Sequence, residues 1–482
     1  MWRRITLLAA AVPALAVFVP VDATSADVRV PATSRLSGPS PFANCAPGPR
    51  DHDKADGAIE PVLAADPSDP RRLAAVWPQD HQRGAVIAVT HDRGRTWQRS
   101  VVPGLTRCSG GVHEYVDEVA VTFTGDGALV VTGTVQKGDG ATAGLSVRSA
   151  DGARTWTRPA VITQETDPAN GGFITVSTAA DPRDHRVLYA VTMQFPPTER
   201  TTNRALLSRS VDGGRSWQPP RLLLEAGTRR LVSGHRLSVL DDGTLLNVYT
   251  LVQLRDGARD LSVQAVRSRD GGASWSRPRK VADLRTKWLF QDPESGDQVS
   301  HTTSLLSDTA VDRRTGRVYA VWQDARFSDG AADGVAMASS GDGGRTWTEP
   351  VKVNRTPATI SPPNQQAFTV SVETGRDGTV AVAYSDFRHN DAGTPLLTDR
   401  WLALCSPRPV SCADPAATWR ETRLTTTSFD MRKAPRIPDA TSPRGFFLGE
   451  QMGLVANGRG FTTTWAAPDV PGRAAVHAAN RR

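Results

Sequence analysis

Ser210-Val211-Asp212-Gly213-Gly214-Arg215-Ser216-Trp217 is one of six near-copies of a single phrase, S-x-D-x-G-x-[ST]-W, and its recurrence decides the fold. The aspartates stand at Asp92, Asp151, Asp212, Asp270, Asp342 and Asp414, spaced 59, 61, 58, 72 and 72 residues apart. The matching tryptophans are Trp97, Trp156, Trp217, Trp275, Trp347 and Trp419. Such intervals mark an array of similar supersecondary units. Within the phrase the Asp carboxylate accepts backbone N–H groups two or three residues on, closing a turn. Gly at the next-but-one position supplies positive φ, the Ser/Thr hydroxyl ties the returning strand, and Trp buries a large ring. Thr90 and Cys412 replace the first Ser, and Ala153 and Ala416 replace the Gly. The first and last copies are therefore expected to be the looser hairpins.

Between the phrases a pattern repeats. An inner strand ends at a D-P or D-G turn, as at Asp66-Pro67, Asp181-Pro182 and Asp377-Gly378. An apolar strand follows, such as Leu73–Trp77 or Val318–Trp322, then a third strand, the phrase, and a short fourth strand. No segment sustains a 3.6-residue period, so helices should be scarce. Four antiparallel strands per unit predict an all-β fold, a β-propeller. Six units carry the phrase. A seventh runs from about Gly449 through Phe461–Trp465 and Ala474–His477, with three strands and no phrase. The lead-in, at Val28–Val30, is expected to supply its outer strand and close the ring, which removes two sheet edges. Seven blades are favoured, with six plus an accessory sheet as the alternative. Connections at 284–300, 354–365 and 427–445 are expected to be rim loops.

Residues 1–26 read as a signal peptide: Arg3 and Arg4, an apolar run from Ile5 to Val19, then Ser25-Ala26. Residues 27–57 form an extended segment and 58–482 a single propeller domain. The chain is thus expected to be secreted, with no membrane span after cleavage and as a monomer. The net charge of +7 comes from scattered arginines without a run, which excludes a nucleic-acid footprint. Four cysteines in an exported chain predict two disulfides; the most local of three connectivities pairs Cys45 with Cys108 and Cys405 with Cys412. No metal-ligand spacing, nucleotide loop or cofactor motif is present.

The phrase resembles the Asp-box, or BNR repeat, and the whole mature chain resembles exported sialidase-like BNR-repeat propellers. That resemblance implies a site at the end of the blades away from the phrases. Active sialidases combine an arginine triad that grips a sugar carboxylate, an Asp acid/base, and a Tyr nucleophile assisted by Glu. Their first arginine lies in a Phe/Tyr-Arg-Ile-Pro motif before the first blade. Here the nearest match is Pro435-Arg436-Ile437-Pro438, before the last unit and without the aromatic. Non-hydrolytic propellers carry the phrase too.

The candidate catalytic group is His113-Glu114-Tyr115-Val116-Asp117-Glu118, at the start of the second inner strand. With period two, Tyr115 and Asp117 share one face, and Glu114 and Glu118 the other. The other four tyrosines sit in second strands, which leaves Tyr115 as the nucleophile candidate; the bland reading is an acidic entry loop. Asp324-Ala325-Arg326 and Asp386-Phe387-Arg388 follow second strands of neighbouring blades. Their spacing lets each Asp and Arg pair, as a structural brace or as guanidinium groups offered to an anionic ligand. His235-Arg236, His301 and Glu450 begin other inner strands and are candidates to line the channel. The expected substrate-binding arginines are thus Arg236, Arg326, Arg388 and Arg436, and the expected partner is an extracellular glycan, or a protein, at the channel mouth. Three functions follow: a sialidase-like exo-glycosidase, a non-catalytic binding propeller, and an envelope assembly factor.

Overall fold

A computed structural model describes residues 33–45, 56–80, 82–196, 203–256, 258–286, 290–292, 298–299, 305–391, 393, 395–436 and 445–481. Signal-peptide residues 1–26, Val28–Val30, His301, Ile437 and Pro438 lie outside these. Among the described residues seven antiparallel sheets form seven blades, with inner strands Val62–Ala65, Tyr115–Phe123, Gly172–Ala180, Arg230–Val239, Ser307–Asp312, Ala367–Thr374 and Leu454–Ala456. We number the blades I to VII in that order. Each inner strand contacts those of both neighbouring blades, so the ring is closed around an axial channel. The described helical segments are short 3₁₀ turns.

Blade VII takes its outer strand from the other end of the chain. Thr33–Arg35 pairs antiparallel with Arg473–Arg481, placing Ser34 opposite Ala478. The closing strand thus lies a few residues beyond the Val28–Val30 expected from sequence.

Second and third strands are buried along most of their length, as in Leu73–Gln79 and Gly84–Thr90, because neighbouring blades cover both faces. Fourth strands such as Gln98–Val101 face solvent. Apolar clusters fill six of the interfaces between blades. Hydroxyls also bridge the seam between blades II and III. Thr132 meets Thr178 at 3.0 Å, Ser146 donates to the Gly214 carbonyl at 3.2 Å, and Trp217 Nε1 donates to Ser146 at 2.8 Å.

The repeated hairpins close as a hydrogen-bonded ring around the aspartate. Asp212 Oδ1 accepts Arg215 N at 3.0 Å and Ser216 N at 2.9 Å, three and four residues on, plus Ser210 Oγ; Oδ2 takes Ser216 Oγ. The first copy keeps the full set, since the Thr90 hydroxyl substitutes for Ser. It is not a looser hairpin. At the last copy Asp414 Oδ1 accepts Ala416 N, and the Cys405–Cys412 disulfide crosses the loop where a hydroxyl stands elsewhere. The second disulfide is Cys45–Cys108, so both pairings agree with the sequence expectation. Among the described residues no helix is long and apolar enough to cross a membrane.

Candidate functional site

The inner strands start at one mouth of the channel, and four of them are irregular there. Register shifts interrupt Asp117/Ala120 in blade II, Thr175/Ser177 in III, Ser233/Arg236 in IV and Phe368/Ser371 in VI. Bulges of this kind re-aim side chains near sites. Glu118 adopts φ 47° and Thr369 φ 51°, left-handed values that non-glycine residues reach only at a cost.

The bulge in blade II changes which side chains share a face. Val116, Val119, Val121 and Phe123 all enter the core between blades I and II, a pattern with one residue too many for strict alternation. Asp117 and Glu118 both lie outside that core and are both partly exposed. Strict period two would have set them on opposite faces; Glu118's backbone turn cancels it. Tyr115 lies two residues above on the same strand and is buried, 4% exposed.

Around Glu118 the other inner strands add carboxylates. Glu450 N, on blade VII, donates to Glu60 Oε1 at 2.8 Å, just ahead of blade I. Gln451 Nε2 donates to Glu118 Oε2 at 3.3 Å. Burial and the negative charges of Glu450, Glu60 and Asp117 hold the Glu118 carboxyl well above the ordinary carboxylate range, with Arg236 opposing them only in part. Arg236 Nε stands 3.4 Å from Asp308 Oδ1 on blade V, whose Oδ2 accepts Val372 N at 2.9 Å from blade VI. Burial also raises Asp308, and it pushes Glu373 up to about 7, helped by the Asp308 charge. Arg236, Asp308, Glu373 and Glu450 line a cavity of about 330 Å³ inside the ring. It meets a wider one, about 860 Å³, at the opposite mouth.

Of the residues singled out from sequence, the fold therefore gathers Asp117, Glu118, Arg236 and Glu450 on the channel side. The other arginines lie elsewhere. Arg326 pairs with Asp324 at 2.8 Å in the turn after the second strand of blade V, and also donates to the Asp283 carbonyl. Arg388 is enclosed in blade VI by Asp386 and Glu421, both at 2.7 Å, beneath the Trp401 ring. Arg436 is stacked 4.4 Å over Phe446. His235 does not line the channel. It is fully buried, stacked on Tyr249 and bonded to Asn247 at 2.9 Å, and burial lowers it to about 4.

Sequence reasoning missed Glu60, Asp308 and Glu373, which carry no motif and acquire meaning only from ring position. It also missed Arg400. This fully buried side chain donates to the Thr369 carbonyl at 2.7 Å and to Ser371 Oγ at 3.2 Å, holding the blade VI bulge, and burial lowers it to about 9. Among the described residues no group of three or more His, Cys, Asp or Glu is arranged to hold a metal ion.

Residues 44–279 match the model of the BNR repeat-like domain. Solved structures give fold-level likenesses at low identity. A protein of unknown function from Dyadobacter fermentans is 15% identical, with 94% of this chain and 100% of that one covered and a TM-score of 0.45. The α-L-arabinanase of Penicillium chrysogenum, complexed with arabinobiose, is 16% identical over 73% of this chain and 92% of that one, at a TM-score of 0.47. A Hadza microbial sialidase is 15% identical over 85% and 74%, also at 0.47.

Proposed function

Because this chain is a seven-bladed β-propeller whose residues 44–279 match the BNR repeat-like domain, we propose that the channel mouth at the start of its inner strands is a glycosidase site acting on glycans outside the cell. The observation that carries the proposal is the gathering of Glu118 with Asp117, Glu60 and Glu450 at this mouth, where enclosure and the neighbouring negative charges raise the Glu118 carboxyl. A neutral carboxylic acid beside another carboxylate is what glycoside hydrolysis uses: one donates a proton to the departing oxygen, the other assists attack at the anomeric carbon. Glu118 is the proton donor in this scheme. Asp117 is its partner, and Tyr115 stands directly above them on the strand. Water completes the reaction, giving one sugar a new hydroxyl and returning the proton to Glu118.

The charge around the site bears on the substrate. Among the described residues lining the inner cavity, Arg236 is the sole cation, and it already faces Asp308. A sialoside would bring its carboxylate among Glu60, Glu118 and Glu450. A neutral sugar fits these walls better. Arg326 and Arg388, engaged in their own turns, do not assemble with Arg236 into a carboxylate grip.

The test is a panel of fluorogenic glycosides, neutral sugars and sialosides together, offered to the purified chain without its first 26 residues. Glu118→Gln is expected to lower turnover by roughly 10²–10⁴-fold, the usual effect of removing a general acid. Tyr115→Phe reports whether the phenol takes part. Release of sialic acid would overturn the neutral-sugar assignment. No release from any substrate, with binding retained, would replace hydrolysis by glycan binding.

A further inference from the structure

On the side of the ring away from that mouth, each repeated hairpin wedges the seam between its own blade and the preceding one. Its tryptophan enters the seam. Trp217 Nε1 of blade III donates to Ser146 of blade II at 2.8 Å, and Trp156, Trp275, Trp347 and Trp419 pack against the apolar clusters of their seams. Trp97 does the same between blades VII and I. Its turn is pinned to its own blade, as where Gly213 N donates to the Arg186 carbonyl at 2.8 Å. Gly214 lies so near Val130 of blade II and Leu188 that a side chain there would touch both. The seam between blades VI and VII has no such wedge. The third and fourth strands of blade VII, Arg473–Arg481 and Thr33–Arg35, are not consecutive in the chain, so no hairpin joins them.

A cavity of about 350 Å³ stands at that place, between the first-to-second-strand turns of blades VI and VII. Register fixes the equivalence. Phe461 faces Arg481 as Leu188 faces Ser210, and Leu404 faces Ala381 as Arg148 faces Val130. Arg148 and Leu188 both stand beside the blade III hairpin, whereas Leu404 and Phe461 line the cavity. At about 30 Å³ per water, such a space holds on the order of ten waters. They lie against Leu404 and Ala456, which the core leaves only partly buried. Replacing them by apolar side chains is favourable.

We propose that this slot is a docking site for residues 27–32 of the same chain, which lie outside the described ones, and that Val28 and Val30 take the room of the missing hairpin. The count of residues selects them. In blade III Leu222 stands opposite Leu206, four residues before Ser210, and Trp217 and Gly214 precede Leu222 by five and eight. Val161, Lys280 and Lys352, at the same register in blades II, IV and V, follow their tryptophans by the same five. In blade VII Arg35 stands opposite His477, four residues before Arg481. The same counts back from Arg35 fall on Val30 and Asp27. Asp27 is also the first residue after the expected cleavage site, so the expected mature chain reaches the turn position. Thr33 already leans across the seam, its Oγ1 donating to the Leu424 carbonyl of blade VI at 3.3 Å. Arg376, Asp377 and Arg459 on the cavity wall offer both signs of charge to the ammonium and carboxylate of Asp27. Tethered at Thr33, the segment meets the slot as an intramolecular ligand.

The experiment uses the purified chain starting at Asp27, with a diazirine-bearing leucine analogue in place of Val28 or of Val30. Illumination and peptide mapping are expected to place adducts within the same molecule on residues 375–379, Leu404 or 456–461. Adducts confined to other parts of the chain, formed only between molecules, or formed only with solvent would overturn the proposal. A second measurement needs no label and no enzymatic activity. Hydrogen exchange in 375–379 and 456–461 is expected to be slower by on the order of tenfold in the chain starting at Asp27 than in one starting at Ala32. The shorter chain keeps Thr33–Arg35 and the bonds of Leu36 and Ser37, so the ring stays sealed. Residues 181–187, the matching turn of blade III, are expected to exchange alike in both chains. Equal exchange at the slot in the two chains would overturn the proposal, as would an equal change at 181–187.

Discussion

Glu373 stands where the two cavities of the channel meet and lines both. Burial pushes its carboxyl up to about 7 from the ordinary 4.5, so the native state holds this proton more tightly than the unfolded chain does. Its contribution to stability is thus complete below about pH 4.5 and lost as pH rises through about 7. Glu373→Gln, which keeps an oxygen for Thr374 N, is expected to change little at pH 4 and to stabilise by on the order of 3 kcal/mol at pH 8. Urea unfolding at the two pH values measures it; an equal gain at both would point to packing instead of ionisation. A second residue-scale test concerns Ala153, held at φ 70° where the fuller hairpins have glycine, such as Gly214 at φ 84°. A side chain is strained there, and Ala153→Gly is expected to add roughly 0.5–1 kcal/mol in the same assay. The strain at Ala153 could be read from the sequence, because the phrase itself demands positive φ. That at Glu118 could not, since it arises from pairing with a strand that sequence does not locate to the residue.

At the scale of the element, the hairpins explain why one phrase could recur with changed letters. The ring around the aspartate needs a hydroxyl on each side, and Thr90 serves as well as Ser210. Asp212→Ala removes the acceptor of two backbone N–H groups and two hydroxyls. It is expected to cost about 2–3 kcal/mol, while Asp414→Ala, which loses a backbone contact from Ala416 N in a loop already closed by a disulfide, is expected to cost about 1 kcal/mol or less. Thermal unfolding of the two variants, compared under identical conditions, checks the order; a reversed order would deny the hairpin ring its role. The blades were legible because each is local in sequence, its strands alternating with turn signals. The site was legible only in part. Tyr115, Asp117 and Glu118 announced themselves as a polar run at a strand start, but Glu60, Asp308 and Glu450 come from three other blades. What brings them together is ring closure, which no local pattern encodes.

Ring closure is also the property on which the whole molecule depends. Blade VII contributes three strands from the end of the chain and borrows its fourth from the lead-in, so a short N-terminal piece seals a structure more than four hundred residues long. The seal is more than the pairing of Thr33–Arg35. Leu36 is buried, 3% exposed, and its N–H meets the Val476 carbonyl at 2.8 Å. Ser37 Oγ accepts Val476 N at 2.9 Å, and Arg35 pairs with Asp469 at 2.8 Å on the exposed rim. Leu36 burial is worth roughly 1.5–3 kcal/mol and each ladder hydrogen bond about 1 kcal/mol, whereas the rim ion pair adds little. A chain starting at Gly38 keeps the Cys45–Cys108 disulfide and loses only the seal. It is expected to be less stable by roughly 4–6 kcal/mol, with a lower unfolding temperature. It also bares Arg473–Arg481 as an edge whose unpaired backbone groups invite another chain, so it should self-associate. Thermal unfolding together with light scattering separates the two effects. A shortened chain that melts at the same temperature and stays monodisperse would mean that the first blade-to-last-blade contacts close the ring without the borrowed strand.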